Sequence, residues 1–347
     1  MSRDDRVDVS RLIAPTLRMR IEPLVSEPVP ARTPGRPNAG GVTTSSPPML
    51  QLWDLAVRVA PTDLTVLITG ETGVGKERLA RWLHGASRRA QRPFVAVSCS
   101  ALADTLLECE LFGHARGAFP GAIDDRPGFF ETAPGGTIFL DDIGEVSPAM
   151  QGKLLRAIEE GAVRRLGETT IRRVDVRLIA ATSRHLLAAV AEDRFRQDLY
   201  DRLRSIDLHI PPLRERPEDL RELARDLLAR ATARLQRPIL GYTARALDRM
   251  LAYPWPGNIR ELLNAIECAC AVTAGPEIDI GDLPAAVRTR HGVDREYARQ
   301  ARKDREAAYI REAVDRHHGD RRRAAEELGI SLSTLNRRLR GRRSLER

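Results

Sequence analysis

The chain has 347 residues, of which 42% are hydrophobic and 30% charged; this composition is typical of a globular protein, and the length predicts two domains, or three if one is a small appendage. No apolar run approaches the roughly 20 residues of a membrane helix, and the first ten residues are charged where a signal peptide is apolar. Cys99, Cys109, Cys268 and Cys270 have neither disulfide nor zinc-site spacing. These features argue against membrane-spanning and secreted proteins and predict a cytoplasmic location.

The net charge of +8 is concentrated at one end of the chain. Residues 288–347 contain 18 Lys or Arg against 10 Asp or Glu, so this segment carries the whole excess. A basic segment on an otherwise neutral protein predicts a polyanionic partner. Nucleic acid is favoured over a membrane because the segment lacks a wide apolar face, and a solvated charged surface is the alternative.

The first 46 residues hold six prolines before residue 38, then Gly40-Gly41 and a polar run, which predicts a disordered tail. Beyond the tail, short β-rich runs alternate with helical periodicity. This alternation predicts an α/β domain built on a parallel sheet. The predicted strands cover residues 64–69, 94–98, 137–141, 174–181 and 206–210.

After Pro211-Pro212 the pattern becomes helical, which predicts a second, all-helical domain. Its helices are expected at residues 217–234, 243–251 and 258–273. A last helical block covers residues 304–340 and is interrupted at His318-Gly319 and at Gly329.

A phosphate-binding loop is predicted where the first strand ends, because residues 70–76 fit the pattern G-x-x-x-x-G-K between a strand and a helix. Glycines let the backbone approach a phosphate chain, the helix N-terminus attracts it, and Lys76 reaches the outer phosphates. Glu77 replaces the Ser or Thr that usually contacts magnesium, so the metal must rely on other ligands. The predicted nucleotide-binding residues are Gly70, Glu71, Thr72, Gly73, Val74, Gly75, Lys76 and Glu77.

A second nucleotide motif is the apolar strand at 137–141, which ends in Asp141 and Asp142. In this Walker B pattern the first acid, Asp141, holds Mg²⁺ and the second, Asp142, polarises the attacking water. A helix N-cap is the structural alternative for such an acidic pair. The order of the two motifs favours nucleotide hydrolysis.

Residues 321–340 read as a helix, a turn at Gly329, an N-cap at Ser331 and a second helix, which is a helix-turn-helix pattern. Leu332, Leu335 and Leu339 share the apolar face of the second helix. A small charged hairpin is the alternative. The predicted DNA-binding residues are Ser331, Ser333, Thr334, Asn336, Arg337, Arg338 and Arg340, with Ser331, Ser333, Thr334 and Arg337 as the base readers.

Seven motifs follow one another along the chain: residues 110–114 (ELFGH), 117–122 (GAFPGA), 135–145 (GGTIFLDDIGE), 153–156 (KLLR), 195–203 (FRQDLYDRL), 211–216 (PPLRER) and 255–262 (WPGNIREL). Together they resemble the motifs of the sigma-54-dependent transcriptional activators, or bacterial enhancer-binding proteins, of the AAA+ class. The resemblance covers about residues 47–285, and the C-terminal end is similar to Fis-like DNA-binding domains.

The resemblance implies a ring, usually a hexamer, with ATP between subunits and hydrolysis driving a loop against sigma-54 RNA polymerase. Arg196 and Arg202 match the arginine fingers, and Arg260 matches the sensor II arginine of the helical lid. The loop that contacts sigma-54 is Gly117, Ala118, Phe119, Pro120, Gly121 and Ala122. The implied segments are a disordered tail (1–46), an AAA+ α/β ATPase subdomain (47–212), an AAA+ helical lid (213–285), a linker (286–300) and a Fis-like helix-turn-helix DNA-binding domain (301–347).

Four positions depart from the family pattern. Pro120 replaces a threonine and removes an N–H, which weakens the expectation of sigma-54 contact. Asp142 replaces a glutamate and is one methylene shorter, which predicts slow hydrolysis. Ser98 stands where the family has an asparagine that couples the γ-phosphate to the loop, and Ser183 stands at the sensor I asparagine.

Three function classes follow: an ATP-driven sigma-54 activator, a regulator of the same ancestry that binds DNA without sigma-54, and an AAA+ machine such as an unfoldase. The DNA-binding end argues against the third, and Pro120 separates the first two. The short tail leaves no room for a sensory domain, so control is expected from a separate regulatory protein, from expression level or from a damaged gene. An enhancer-like DNA site is the expected target.

Overall fold

The computed structural model describes residues 44–289, together with residues 314, 317, 321–327, 331 and 335. These residues belong to two compact units. The first comprises residues 44–224 and 255–262, and the second comprises residues 225–254 and those from 263 onward. Among the helices of the described residues, none has both the length and the hydropathy that a membrane span requires.

The strands of the first unit are β1 (Val66–Thr69), β2 (Phe94–Ser98), β3 (Gly113–His114), β4 (Arg126–Pro127), β5 (Thr137–Asp141), β6 (Ala162–Val163), β7 (Arg172–Arg173), β8 (Arg177–Thr182) and β9 (Ile206–His209). Five of them form a parallel sheet with the order β2-β5-β8-β1-β9. All five predicted strands are confirmed within a few residues at their ends, and the short pairs β3–β4 and β6–β7 are additions. In the second unit, β10 (Gly241–Tyr242) pairs with β11 (Glu277–Ile278).

Helices cover both faces of the sheet, and the three predicted for the helical region are confirmed. The helices are α1 (Pro47–Val59), α2 (Lys76–Gly85), α3 (Asp104–Phe112), α4 (Phe129–Thr132), α5 (Pro148–Glu160), α6 (Leu186–Ala191), α7 (Gln197–Leu203), α8 (Pro217–Leu235), α9 (Ala244–Ala252), α10 (Asn258–Val272), α11 (Ala285–Arg288) and α12 (Arg321–Glu327). Helix α5 shows why these segments are helical: Ser147 caps its N-terminus by accepting from Met150 N (3.4 Å), and Gly161 ends it at a positive φ of 57°.

Alternate residues of the central strands face opposite layers, as a buried parallel sheet requires. Leu67, Ile138 and Leu140 pack in the layer with α3, α5 and α7. Val66 and Phe139 pack in the other layer, with α1 and α2. The register aligns Thr69 with Thr182 and Ser98 with Asp141, so the carboxyl ends of four strands lie along one edge.

The second unit is fixed by side chains that bind the ends of helices. Thr243 caps α9 by accepting from Ala246 N (3.2 Å), and Arg237 donates to the carbonyls of Cys270 (3.0 Å) and Thr273 (2.6 Å) at the end of α10. In the C-terminal segment, helix α12 agrees with the first helix of the predicted helix-turn-helix.

The last three residues of the predicted disordered tail are ordered in the structure. The buried carboxylate of Asp219, in α8, accepts from Thr44 Oγ1 (2.9 Å), Ser45 N (2.8 Å) and Ser46 N (3.0 Å). Ser46 is the N-cap residue of α1. The prediction of disorder is therefore wrong for residues 44–46, because a buried acid in a distant segment binds their N–H and O–H groups; residues 1–43 lie outside the described residues.

We expect Asp219→Ala to lower the free energy of unfolding by about 2–4 kcal/mol, because it removes these bonds, including the one to the buried Ser46 N. Urea unfolding monitored by circular dichroism measures the change. Asp54→Ala, at an exposed position of α1, is the control and should stay within about 0.5 kcal/mol of the unaltered protein. Equal stability of the two variants would contradict this role for Asp219.

Candidate functional site

The predicted phosphate-binding loop connects β1 to α2 in the conformation that an anion site needs. Gly70, Gly73 and Gly75 have positive φ values of 147°, 81° and 105°. Residues that carry a Cβ atom rarely adopt such backbone conformations, whereas glycine does so readily. Lys76 is the first residue of α2, so the loop leads into a helix N-terminus. Converging N–H groups at such a terminus bind phosphate oxygens.

Lys76 lies inside this loop and is only 8% exposed. Its Nζ donates to the carbonyls of Gly70 (2.9 Å) and Glu71 (3.2 Å). Burial lowers the pKa of Lys76, and the carboxylates of Asp141 and Asp142 partly offset this effect. The ammonium group is therefore largely desolvated, which strengthens its interaction with an incoming phosphate.

The two predicted acids lie at the end of β5, on the same edge of the sheet. Burial raises the pKa of Asp141, and the charge of Asp142 raises it further, whereas Lys76 opposes both effects. Asp142 has a positive φ of 54°, and its N–H donates to Asp141 Oδ1 (3.0 Å). A perturbed carboxyl group beside a desolvated lysine is typical of a site that binds charged ligands.

Ser98 and Asp142 are linked through a residue that the sequence analysis missed. Ser100 Oγ donates to Asp142 Oδ2 (3.1 Å) and lies 3.3 Å from Ser98 Oγ. The Ser100 hydroxyl thus bridges the shorter side chains at both family positions, Ser98 and Asp142. No motif marks Ser100, and its only sequence signal is its distance of two residues from Ser98.

The remaining members of the loop have local roles. Val74 is buried and Thr72 is exposed. The Glu77 carboxylate pairs with Arg81 one turn along α2 (2.7 Å). Among the described residues there is no cluster of three or more His, Cys, Asp or Glu side chains suited to a metal ion. Asp141, at the end of β5, is the residue whose carboxylate could hold a magnesium ion.

Residues 257–259 contact the phosphate-binding loop. Ile259 N donates to Gly73 O (3.0 Å), and a Cβ placed on Gly73 would lie 2.2 Å from Gly257 O. Arg260 follows in the first turn of α10, and its charge helps to lower the pKa of Lys76, after the larger effect of burial. The structure therefore brings Arg260 near the loop.

The predicted arginine fingers lie elsewhere on the first unit. Arg196 is exposed and forms a two-point ion pair with Asp198 (3.0 and 2.7 Å), while its backbone N–H donates to Gln151 Oε1 (2.8 Å). Arg202 is exposed in the last turn of α7. Ser183 is exposed directly after β8.

The predicted sigma-54 loop is a closed turn that accommodates its proline. Ala122 N donates to Phe119 O (3.0 Å), and Gly121 has a φ of 102°. Proline at the second position with a positive φ at the third defines a type II β-turn, in which residue 120 needs no N–H. Phe119 packs edge-on against the His114 ring at 5.0 Å and is 38% exposed.

Of the predicted DNA-binding residues, the structure describes Ser331. It is exposed, and its carbonyl accepts from the N–H of the buried Leu335 (3.0 Å), as at the start of a helix. The other predicted residues, Ser333, Thr334, Asn336, Arg337, Arg338 and Arg340, lie outside the described residues.

Gly73 and Gly75 provide a matched test of the close contact between the phosphate-binding loop and Gly257. We expect Gly73→Ala to lower the free energy of unfolding by about 3 kcal/mol or more, because it adds backbone strain and a clash with Gly257. Gly75→Ala adds only strain, since nothing lies within 4 Å of its Cβ, and should cost about 1–2 kcal/mol. Thermal unfolding without nucleotide measures both; equal losses would contradict the close contact.

Comparisons with known families divide the chain into three matches. The sigma-54 interaction domain matches residues 42–209, the AAA+ ATPase lid domain matches residues 214–300, and the Fis family of bacterial regulatory proteins matches residues 301–340.

Relatives that match most of this chain agree with these family matches. Transcriptional regulatory protein ZraR of Klebsiella oxytoca is 46% identical over 301 residues, covering 85% of this chain and 67% of the relative. Hydrogenase transcriptional regulatory protein HoxA of Cupriavidus necator is 46% identical over 304 residues, covering 84% and 63%. The crystal structure of NtrX from Brucella abortus in complex with ATP has a TM-score of 0.66 at 32% identity, covering 87% of this chain and 69% of NtrX. The chain therefore belongs to the sigma-54-dependent transcriptional activators and combines an AAA+ domain on a parallel sheet, a helical lid and a C-terminal Fis-type helix-turn-helix.

Proposed function

We propose that this protein binds upstream, enhancer-like DNA and uses ATP hydrolysis in an oligomeric ring, a hexamer in its family pattern, to remodel sigma-54 RNA polymerase. The observation that carries the proposal is the desolvated Lys76 beside Asp141 and Asp142 at the end of a glycine loop. The ATP complex of NtrX, a protein of similar fold, supports ATP as the nucleotide.

Each residue of the site has a role that its geometry supports. The N–H groups of residues 70–76 surround the phosphates, and Lys76 offsets their charge. Asp141 holds Mg²⁺, which when bound neutralises charge on the phosphate oxygens. Asp142, kept in place by Ser100, orients the attacking water. Its short side chain remains the reason to expect slow turnover.

The exposed arginines fit a role between subunits. A finger must reach a neighbouring molecule, and both Arg196 and Arg202 lie exposed at the ends of α7. A planar guanidinium there would offset charge on the transferring phosphoryl group of the adjacent subunit. Ser183, after the central strand β8, is proposed as the sensor of the γ-phosphate, and Arg260 as the sensor II residue.

The type II turn favours sigma-54 contact over the sigma-54-independent alternative. Proline occupies the position where type II turns prefer it, so the substitution keeps the tip ordered and leaves Phe119 partly exposed. Ile123, immediately after the tip, is 74% exposed and enlarges the apolar surface. Pro120 alone therefore gives no structural reason to discard sigma-54 as the partner.

The C-terminal segment is proposed as the DNA reader. Arg321, Arg322 and Arg323 are exposed on α12, and the segment carries the positive excess of the chain. Arginines on a Fis-type domain bind phosphates while the second helix reads bases. DNA as the target supports a cytoplasmic location, and a separate regulatory protein is the proposed source of control.

We expect Lys76→Ala to lower ATP turnover by roughly a hundredfold or more, because the ammonium group that offsets the negative charge of the phosphates is then missing. Lys153→Ala is the control, since Lys153 is an exposed lysine that pairs with Glu108. Steady-state phosphate release by the full chain with Mg²⁺ measures both. Normal turnover by Lys76→Ala would contradict the assigned site.

A second experiment separates the two candidate functions. We expect Pro120→Gly to weaken binding to sigma-54 by about two- to fivefold, because the free loop loses the turn that proline fixes. ATP turnover without sigma-54 should not change. Fluorescence anisotropy of labelled sigma-54 measures the affinity. Tighter binding by Pro120→Gly, or no binding by either protein, would favour the sigma-54-independent regulator.

A further inference from the structure

The phosphate-binding loop carries an acid, Glu71, in a place where negative charge opposes the ligand. Two groups from distant segments bind this carboxylate. Arg214 donates through Nη1 to Oε2 (2.8 Å) and through Nη2 to Oε1 (2.7 Å), and Asn258 Nδ2 donates to Oε2 (3.1 Å). A two-point arginine pair both neutralises and orients a carboxylate.

The side-chain amide of Asn258 forms hydrogen bonds beside Glu71 through both its oxygen and its nitrogen. The side chain is fully buried, its Oδ1 accepts from Leu213 N (2.8 Å), and its Nδ2 also donates to Thr72 O (3.0 Å). Its φ of 54° belongs to the left-handed region, which asparagine tolerates better than most residues. One side chain thereby joins the phosphate-binding loop, the segment at Leu213 and the start of α10.

The charge state of Glu71 agrees with this arrangement. Burial alone would raise the pKa of Glu71, but hydrogen bonds from Arg214 and Asn258 outweigh burial and lower it. The side chain is therefore ionised near neutral pH. Without its partners, this carboxylate would place a negative charge in the loop that receives the phosphates.

We propose that Arg214 and Asn258 are positioning residues of the nucleotide site: they neutralise Glu71 and hold the phosphate-binding loop in its binding shape before ATP arrives. The proposal rests on the proposed function, ATP binding by this loop. A loop that is already ordered loses less entropy when it binds its ligand. The same contacts fix the first turn of α10, which carries Arg260.

Titration of the full chain with a fluorescent ATP analogue and Mg²⁺ tests the proposal. We expect Arg214→Ala to weaken affinity by about tenfold or more, because it exposes the charge of Glu71 and frees the loop. Glu71→Gln combined with Arg214→Ala should regain a large part of this loss. A purely structural role of Arg214 gives no such recovery, since the double variant also lacks the pair.

Arg89→Ala is the matched control. The Arg89 side chain is 14% exposed, against 19% for Arg214, and likewise binds acids from separate segments, Asp63 (2.8 Å) and Asp175 (2.7 Å). It makes no contact with the phosphate-binding loop in the structure's described part. We expect this variant to melt at a lower temperature with unchanged ATP affinity.

Unchanged affinity of folded Arg214→Ala, or equal losses in the single and double variants, would overturn the positioning role. If Arg214→Ala does not fold, Arg214→Gln decides: it can still donate to Glu71 but no longer offsets its charge, so it should bind the ATP analogue more weakly than the unaltered protein, and unchanged affinity would overturn the proposal. Absence of ATP binding by the unaltered protein would instead refute the proposed function itself and the positioning role with it.

Discussion

The nucleotide site depends on one close approach between two backbones, at Gly73 and Gly257. The space between them is too small for a Cβ, and Ile259 N binds Gly73 O across it. This contact and the amide of Asn258 hold the phosphate-binding loop against the start of α10. Because the loop is held, Lys76 can keep two carbonyl partners and remain desolvated beside the acids. The chemistry of the site thus follows from a packing constraint on glycine.

The parallel sheet supplies the second requirement, which is the alignment of the reacting groups. Its register puts Ser98 level with Asp141 and Thr69 level with Thr182, so loops after four strands open on one edge. Strand order then places β8 between the strand that leads to Lys76 and the strand that ends in Asp141. Burial at this edge of the sheet is the main reason that the pKa of Asp141 is raised and the pKa of Lys76 is lowered.

Much of this arrangement is predictable from sequence because its signals are local. The central strands are apolar runs, and the phosphate-binding loop has fixed glycine spacing. Contacts between distant segments leave no such signal: Arg214 lies 143 residues from Glu71, and Asn258 lies 187 residues from it. Helix α1 was not among the predicted elements, although proline suits the first turn of a helix and Pro47-Pro48 occupy it.

Pro120 can be interpreted in two ways. As a departure from the family's threonine, it weakens the expectation of sigma-54 contact, whereas the pair Pro120-Gly121 is itself a type II turn signal. The structure contains that turn, closed by the bond from Ala122 N to Phe119 O. Local turn chemistry was therefore the better guide to the conformation of this loop.

We propose that ATP hydrolysis by this chain drives sigma-54 RNA polymerase to open a promoter. The decisive experiment is single-round transcription by purified protein from a sigma-54 promoter, with the upstream site of the regulator present. We expect transcripts with ATP and none with a non-hydrolysable analogue at saturating concentration. Equal transcription with the analogue, or none with ATP despite measured ATP turnover, would contradict it.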